Sequence, residues 1–332
     1  MSTDTVTLSI VIPVYNEADN LTELYRRLHD VLSGIGETYE MIFVNDGSTD
    51  DSLEIMKNLR EQDHNIKIIN LSRNWGHQVA LTVGLDHASG QVAITMDADL
   101  QHPPECIPLL VEKWRNGYEI VQTIRQGTAD SGLFKRLTSA WYYAFFRAIS
   151  QANIRPGAAD FRLLDAKPLA ALRNLRERRR FLRGLVPWLG FRTTYVTYSA
   201  EQRFAGRPKY SLTRMMGLAL SGILSFSTFP LRLSLYLGLL LGFLNSLYVL
   251  YIFYAYLFRG TVVPGWTSLM LIVLFLSSVQ FIMQGILGEY VATIFEEVKQ
   301  RPLYMIQDLI GFDHYETGAD VELSGMPDGC TA

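Results

Sequence analysis

The chain has 332 residues, 48% of them hydrophobic and 19% charged, and its two cysteines, Cys106 and Cys330, lie far apart without metal-ligand spacing. A disulfide framework and a structural zinc site are therefore excluded, and a reducing compartment is expected. The net charge of -3 hides an asymmetry: residues 1–130 hold 20 acids against 9 Lys/Arg, whereas residues 173–214 hold 11 Lys/Arg against 2 acids, which speaks against one uniform globule and points to two kinds of partner, a metal and an anionic surface or phosphate.

The first segment, MSTDTVTLSIVIPVYNE, lacks a basic region and its apolar run stops at Pro13. No signal peptide is expected there. Short runs rich in Val and Ile at 8–14, 40–46, 66–72, 91–97 and 118–124 predict strands, and helical patterns at 19–33, 50–62 and 76–88 alternate with them. Such alternation predicts an α/β fold with a mostly parallel sheet covered on both faces, whose ligands gather at the carboxyl ends of the strands.

Three strand ends carry candidate chemistry. The first closes with Pro13, Val14, Tyr15, Asn16 and Glu17, the second with Asn45-Asp46-Gly47-Ser48-Thr49-Asp50. Asp46 could accept hydrogen bonds from a uracil or ribose, with Gly47 allowing close backbone approach, while Asp50 is assigned to capping the next helix. After the fourth strand, Asp97 and Asp99 stand at i and i+2, followed by Gln101. Two carboxylates in such a turn can converge on one hard cation, Mg²⁺ or Mn²⁺, which fills its remaining positions with water and phosphate oxygens. The six histidines show no metal-ligand spacing; His77, at a strand-to-helix junction, is read as a helix start that could also border the nucleotide.

Residues 131–150 place Phe134, Leu137, Trp141, Phe145 and Ile149 at helical spacing beside Lys135, Arg136 and Arg147. An interfacial membrane helix or an ordinary core helix fits that pattern. A second candidate interfacial helix runs over 211–226. The run Arg173, Arg176, Arg178, Arg179, Arg180, Arg183 reads either as a solvated helix face or as a site for anionic lipid headgroups. Nucleic acid is not expected as a partner, because the basic segment adjoins long apolar stretches. Residues 233–258 and 261–288 contain no charge over 26 and 28 residues. A bilayer core needs roughly 20 apolar residues per helix, so a two-span hairpin is expected, with a buried soluble hairpin as the alternative. Arg203, Arg207, Lys209, Arg214 and Arg232 precede the first span, and Lys299 and Arg301 follow the second, whereas the connecting loop has only Arg259. Both termini are expected on the cytosolic side of the membrane. Gln280 and Gln284 are read as joining the spans. The resulting division is 1–130, the α/β core; 131–230, the candidate interfacial helices and basic segment; 231–292, the hairpin; and 293–332, a tail whose end is expected to be disordered.

VIPVYNE, VNDGSTD and MDADLQHPP, in this order and spacing, resemble the family-2 glycosyltransferases with the GT-A fold. Asp160 after a glycine-containing loop, RFAGRPKYS at 203–211, and two apolar stretches ending in GEY and RPLY are similar to the polyisoprenyl-phosphate branch. That branch includes bactoprenol glucosyltransferases and, more distantly, dolichol-phosphate mannose synthases. The resemblance implies that Pro13, Tyr15, Glu17, Asp46, Asp97 and Gln101 line the nucleotide-sugar site. It implies that Asp97 and Asp99 hold the metal, that Asp160 and Asp99 are catalytic, and that Arg203, Lys209 and Ser211 meet the phosphates. It further implies an inverting transfer from a nucleotide-diphosphate sugar, UDP-glucose foremost, to polyprenyl phosphate in the bilayer, giving a β-linked lipid sugar. Another sugar (mannose, GlcNAc or a modified arabinose) and a non-catalytic nucleotide-sugar sensor stay open, as does a homo-oligomer. A processive polysaccharide synthase would carry Gln-x-x-Arg-Trp, absent here. A flippase would want ionisable residues inside the spans, and these stretches have none.

Overall fold

The computed structural model describes residues 6–126, 155, 157–178, 180–199, 229–259 and 265–312. The interfacial helices expected at 131–150 and 211–226 lie outside the described residues. So do Arg203, Lys209, Ser211 and the end of the tail.

The first half follows the strand-helix alternation closely. β1 (Leu8–Val14), α1 (Ala18–Ile35), β2 (Tyr39–Asn45), α2 (Ser52–Gln62), β3 (Ile66–Leu71), α3 (His77–His87) and β4 (Val92–Thr95) succeed one another. A 3-10 turn at Pro104–Cys106, α4 (Ile107–Arg115) and β5 (Ile120–Gln126) follow. Every residue of β1 is buried, as expected for a strand covered on both faces, and its LSIVIPV run is apolar nearly throughout for that reason. α1 buries Leu21, Leu24, Leu28 and Leu32 on one stripe and ends at Gly36 in the left-handed conformation, φ 74°.

Past residue 155 the chain adds β6 (Ala158–Asp165), α5 (Ala166–Asn174), α6 (Leu182–Trp188), β7 (Thr193–Ser199), α7 (Phe229–Arg259), α8 (Trp266–Val298) and β8 (Ile306–Ile310). None of β6, β7 and β8 is predicted from the apolar runs. The described strands form one sheet in the order β7-β5-β6-β4-β1-β2-β3-β8. β4, β1, β2 and β3 are parallel neighbours, as are β5 and β7, while β6 and β8 run antiparallel to their neighbours. One core lies under α1, α2 and α4, the other under α3, α5 and α6. α3 sits so close to the sheet that a Cβ at Gly84 would come within 2.3 Å of the Val11 side chain.

β8 returns the chain from the long helices to the sheet edge. There Asn70 Nδ2 donates to Asp308 Oδ2 at 2.8 Å, and the Tyr304 hydroxyl meets Asp86 Oδ2 at 3.0 Å. The tail expected from 293 onward is thus partly built into the sheet. Counted over the described side chains alone, no helix is long and apolar enough to cross a membrane. The backbones of α7 and α8 are nevertheless continuous over 31 and 33 residues.

Candidate active site

The carboxyl ends of β1, β2 and β4 meet the amino end of β6, and the acidic residues of interest collect there. Beyond β4 the chain must turn sharply, and it does so through Leu100, which adopts φ 60° although its side chain is only 2% exposed. A bulky residue in the left-handed region is strained, and burial of its side chain in the core holds it there. The turn lets Asp99 Oδ1 accept the Gln101 N–H at 3.1 Å, while the Asp97 N–H donates to His102 Nδ1 at 3.0 Å. His102 is itself fixed by stacking on Phe161, 5.3 Å between ring centroids.

Asp160 lies next to this turn. Its strand alternates faces: Ala159, Phe161 and Leu163 enter one core, whereas Asp160, Arg162 and Leu164 face the other. The Asp160 carboxylate is 2% exposed and closely surrounded by cations. Arg162 NH2 donates to Oδ1 at 2.6 Å; Arg183 holds Oδ2 through Nε at 3.0 Å and NH2 at 2.8 Å; Gln78 Nε2 adds 3.3 Å. Burial works against this charge, but Arg183, His77 and Arg162 overcome it and hold Asp160 well below the usual carboxylate range. His77 Nε2 stands 3.4 Å from Asp97 Oδ1 and 3.6 Å from Asp160 Oδ2, bridging the two acids. Burial disfavours its charged form, yet Asp97 and Asp160 push its pKa up to about 9.

Residues 9–168 match the profile of glycosyl transferase family 2. The chain is 44% identical over 310 residues to an uncharacterized glycosyltransferase of Synechocystis sp., covering 93% of this chain and 98% of that one. It is 41% identical over 316 residues to the uncharacterized glycosyltransferase YkcC of Bacillus subtilis, covering 95% and 98%. The SfII prophage-derived bactoprenol glucosyl transferase of Shigella flexneri is 38% identical over 300 residues, 90% of this chain and 97% of its own. The chain belongs to glycosyltransferase family 2.

In this family 2 glycosyltransferase the expected nucleotide residues are not arranged alike. Pro13 lies within β1, paired with Val44 of β2, and Tyr15 just beyond it is 38% exposed. Asn16 takes φ 54° and accepts the Thr49 N–H at 2.8 Å, tying the two strand-end loops together. Glu17 precedes α1 and accepts from Asn20 Nδ2 at 2.6 Å. Asp50 accepts from the Ser52 N–H and the Ala18 N–H, so the capping role assigned to it serves two helices. Asp46, expected to meet the nucleotide, is 3% exposed, and its oxygens accept the Trp75 and Gly76 N–H groups at 2.7 and 3.0 Å. In this structure it braces the loop that delivers His77.

The acid turn suits a hard cation. Among the described residues Asp97 Oδ1 is buried with no hydrogen bond, the His77 ring standing 3.4 Å away, so its shell is loosely filled and a metal cation would complete it. No cluster of three or more His, Cys, Asp or Glu forms a metal cage among the described residues. Mg²⁺ does not need one, since one or two carboxylates plus substrate phosphates complete its shell.

Residues beyond the sequence expectation also reach the site. His77 does start α3, but it is also the bridge between Asp97 and Asp160. Arg162, Gln78 and Arg183 brace Asp160, and Tyr198 of β7 closes the floor against His102 and Phe161. Burial pushes the Tyr198 phenol up to about 12, against Arg125 and Arg183, so it stays neutral. The arginine run is corrected outright as a single solvated face. Arg173 donates to the Leu85 and Ala88 carbonyls, Arg176 pairs with Asp86 at 2.6 Å, and Arg180 is 8% exposed. Arg183 reaches Asp160.

Proposed function

We propose that this protein transfers a sugar from a nucleotide-diphosphate donor, UDP-glucose foremost, to the phosphate of a membrane polyprenol, with inversion. The observation that carries the reading is its likeness to bactoprenol glucosyl transferases over nearly their whole length, joined to an acid turn set beside a buried cationic cluster. The sheet is read as a GT-A arrangement, with the donor over β1, β2 and β4.

In the step proposed, an oxygen of the acceptor phosphate attacks the anomeric carbon. The bond from that carbon to the UDP oxygen breaks, and UDP leaves with the electron pair. A phosphate monoester has a second pKa near 6, so it is mostly dianionic at neutral pH and needs no base. Asp160 is poorly suited to be one, since both its oxygens are occupied by arginines. The harder problem is bringing two anions together and stabilising the departing diphosphate. Asp97 and Asp99 would hold Mg²⁺ or Mn²⁺, which would supply charge neutralisation at the diphosphate when bound. Tyr15 and Glu17 would border the nucleotide. Arg203, Lys209 and Ser211 would meet the phosphates.

α7 and α8 are proposed to cross the bilayer as a hairpin. Their sequences hold 26 uncharged residues at 233–258 and 28 at 261–288, above the roughly 20 that a span requires. Apolar side chains along them stand in the open: Leu239 is 63% exposed, Leu250 66% and Phe281 71%. A bilayer is the occupant that such apolar faces would suit. Basic flanks at Arg232, Lys299 and Arg301 favour a cytosolic catalytic domain.

The test is incubation of the purified full chain with a panel of nucleotide sugars, undecaprenyl phosphate and Mg²⁺, reading the lipid product by mass. A sugar-phospholipid formed only when donor, lipid phosphate and metal are all present supports the reading. Nucleotide release that is indifferent to the lipid would sink it.

A further inference from the structure

Arg183 is the point where the buried acid of the site reaches solvent. One of its flanks is fixed on Asp160, yet its side chain is 44% exposed. Its neighbourhood is a shallow surface cleft, roofed by α6 over β5 and β7. Arg155 lines the same cleft, its guanidinium stacked 3.9 Å from the centroid of the Tyr195 ring. Val186 and Pro187 form an apolar wall, and Gln122 adds an amide. Beside them Trp188, at the end of α6, is 53% exposed, as an aromatic at a membrane interface would be. Two guanidinium groups, an amide and an apolar wall make a mixed surface that matches a phosphate carried on a hydrocarbon.

The sheet order says which anion belongs there. The proposed donor residues sit at the ends of β1, β2 and β4, whereas the cleft lies over β5 and β7. β6, carrying Asp160, runs between the two halves. A donor anchored at Asp97 and Asp99 leaves the cleft to the second anion, and a fixed cation there offsets the repulsion as the two approach.

We propose that Arg183, with Arg155, receives the phosphate of the acceptor, and that Asp160 is a positioning residue acting through Arg183. The inference rests on the sugar-transfer reading above. An arginine is suited to this because its planar fork can donate to Asp160 on one side and to a phosphate on another, a geometry lysine cannot copy.

Initial rates of the detergent-purified full chain would be measured with varied undecaprenyl phosphate and varied UDP-glucose, or whichever donor the panel selects. Arg183→Gln is expected to raise the acceptor KM about ten- to a hundred-fold, the weight of a hydrogen bond to a charged group, with the donor KM within about two-fold. Arg183→Lys should recover part of the loss. Asp160→Asn should show the same acceptor defect, and the double variant should be no worse than the poorer single one. Should the Gln or Asn variant melt early, Arg183→Lys alone decides, since losing the fork should still raise the acceptor KM several-fold. An unchanged acceptor KM overturns the proposal, and so does a defect confined to the donor KM. Weaker sedimentation with phosphatidylglycerol vesicles at an unchanged acceptor KM also overturns it, reassigning Arg183 to general headgroup contact. A wild-type chain that makes no glycolipid with any donor sinks the transfer reading itself, a failure visible before any variant is compared.

Discussion

The two ends of the sheet each bury charge, and they do so differently. At the amino end Glu40 of β2 is 1% exposed and closely surrounded. Ser9 Oγ donates at 2.5 Å, the Ser89 N–H at 2.7 Å and the Ser89 hydroxyl at 2.9 Å, while Lys67 Nζ stands 2.6 Å from its other oxygen. Every partner comes from an adjacent strand or the β4 approach, and the cluster ties β1, β2, β3 and β4 together. At the carboxyl end Asp160 is as deeply buried, but beside the buried Arg162 two of its cations reach outward: Arg183 is 44% exposed and His77 34%. Beside them Asp97 Oδ1 has the His77 ring 3.4 Å away, a looser pairing than the 2.6 Å of Lys67 at Glu40. A tight charge cluster braces a fold, whereas one with longer ion pairs and exposed cations leaves room to be completed by something else.

The comparison breaks most visibly if charge is removed from the open end. Asp99→Ala should lower glycolipid formation about 100- to 1000-fold, the usual cost of losing one electrostatic contact to a developing charge. Its melting temperature should stay within a few degrees of wild type, because the bond from the Gln101 N–H to Asp99 Oδ1 lies within a single turn. Rate assays and thermal melts on the same preparation check both halves. Wild-type turnover in this variant would remove the metal from the reading.

The converse substitution is Glu40→Gln. Breaking a buried ion pair typically costs 3–5 kcal/mol; because Lys67 is 22% exposed and can rehydrate, about 2–3 kcal/mol is expected. Turnover well below the melting temperature should not change. Equilibrium denaturation on the soluble portion of the signal, alongside rates, separates the two ends of the sheet cleanly.

The acid limb sharpens this further. Burial pushes Glu40 upward, but Lys67, Ser9 and the Ser89 N–H overcome it and hold the carboxyl below its ordinary value of 4.5. The unfolded chain therefore binds the proton first as pH falls. The contribution of Glu40 is fully present above about pH 4.5 and is lost as pH drops through its lower folded value. A melt series across that range should show a shallower acid decline in Glu40→Gln than in wild type. Parallel curves would mean that Glu40 does not set the limb.

What could be read in advance follows the same division. β1 to β5 were legible because strands buried on both faces must be apolar throughout, and Val-Ile runs report that directly. β6 was not, since Asp160 and Arg162 break the apolar pattern even though they neutralise each other inside the protein. β8 is five residues in an acidic tail, and only its pairing with β3 makes it a strand. The turn that carries Asp97 and Asp99 was legible because its relation is local. The tie from Arg183 to Asp160 spans 23 residues and was hidden in a run of arginines whose sign of charge says nothing of partner. The bonds of Asp46 to the Trp75 and Gly76 amides were not legible, because they depend on a loop folded beside its strand end.

The smallest expected effects come from adding one methyl group at each end. A Cβ at Gly90 would lie 2.7 Å from Ser9 Oγ and 2.8 Å from Ser9 N, so Gly90→Ala overpacks the amino-end cluster, at a cost of about 1–3 kcal/mol. A Cβ at Gly47 would lie 2.6 Å from the backbone of Arg73 and Asn74, at a residue whose φ is 66°. Gly47→Ala should cost a similar amount, about 1–3 kcal/mol, from strain and contact together. The two should part company in activity. Gly90 touches strands that only support the site, so its variant should turn over normally when folded. Gly47 presses on the loop that Asp46 braces and that ends at His77, so its variant should lose activity several-fold beyond any loss of folded protein, because small displacements of positioned groups are costly. Equal specific activities for the two alanine variants would mean that the bracing of this loop has no bearing on catalysis.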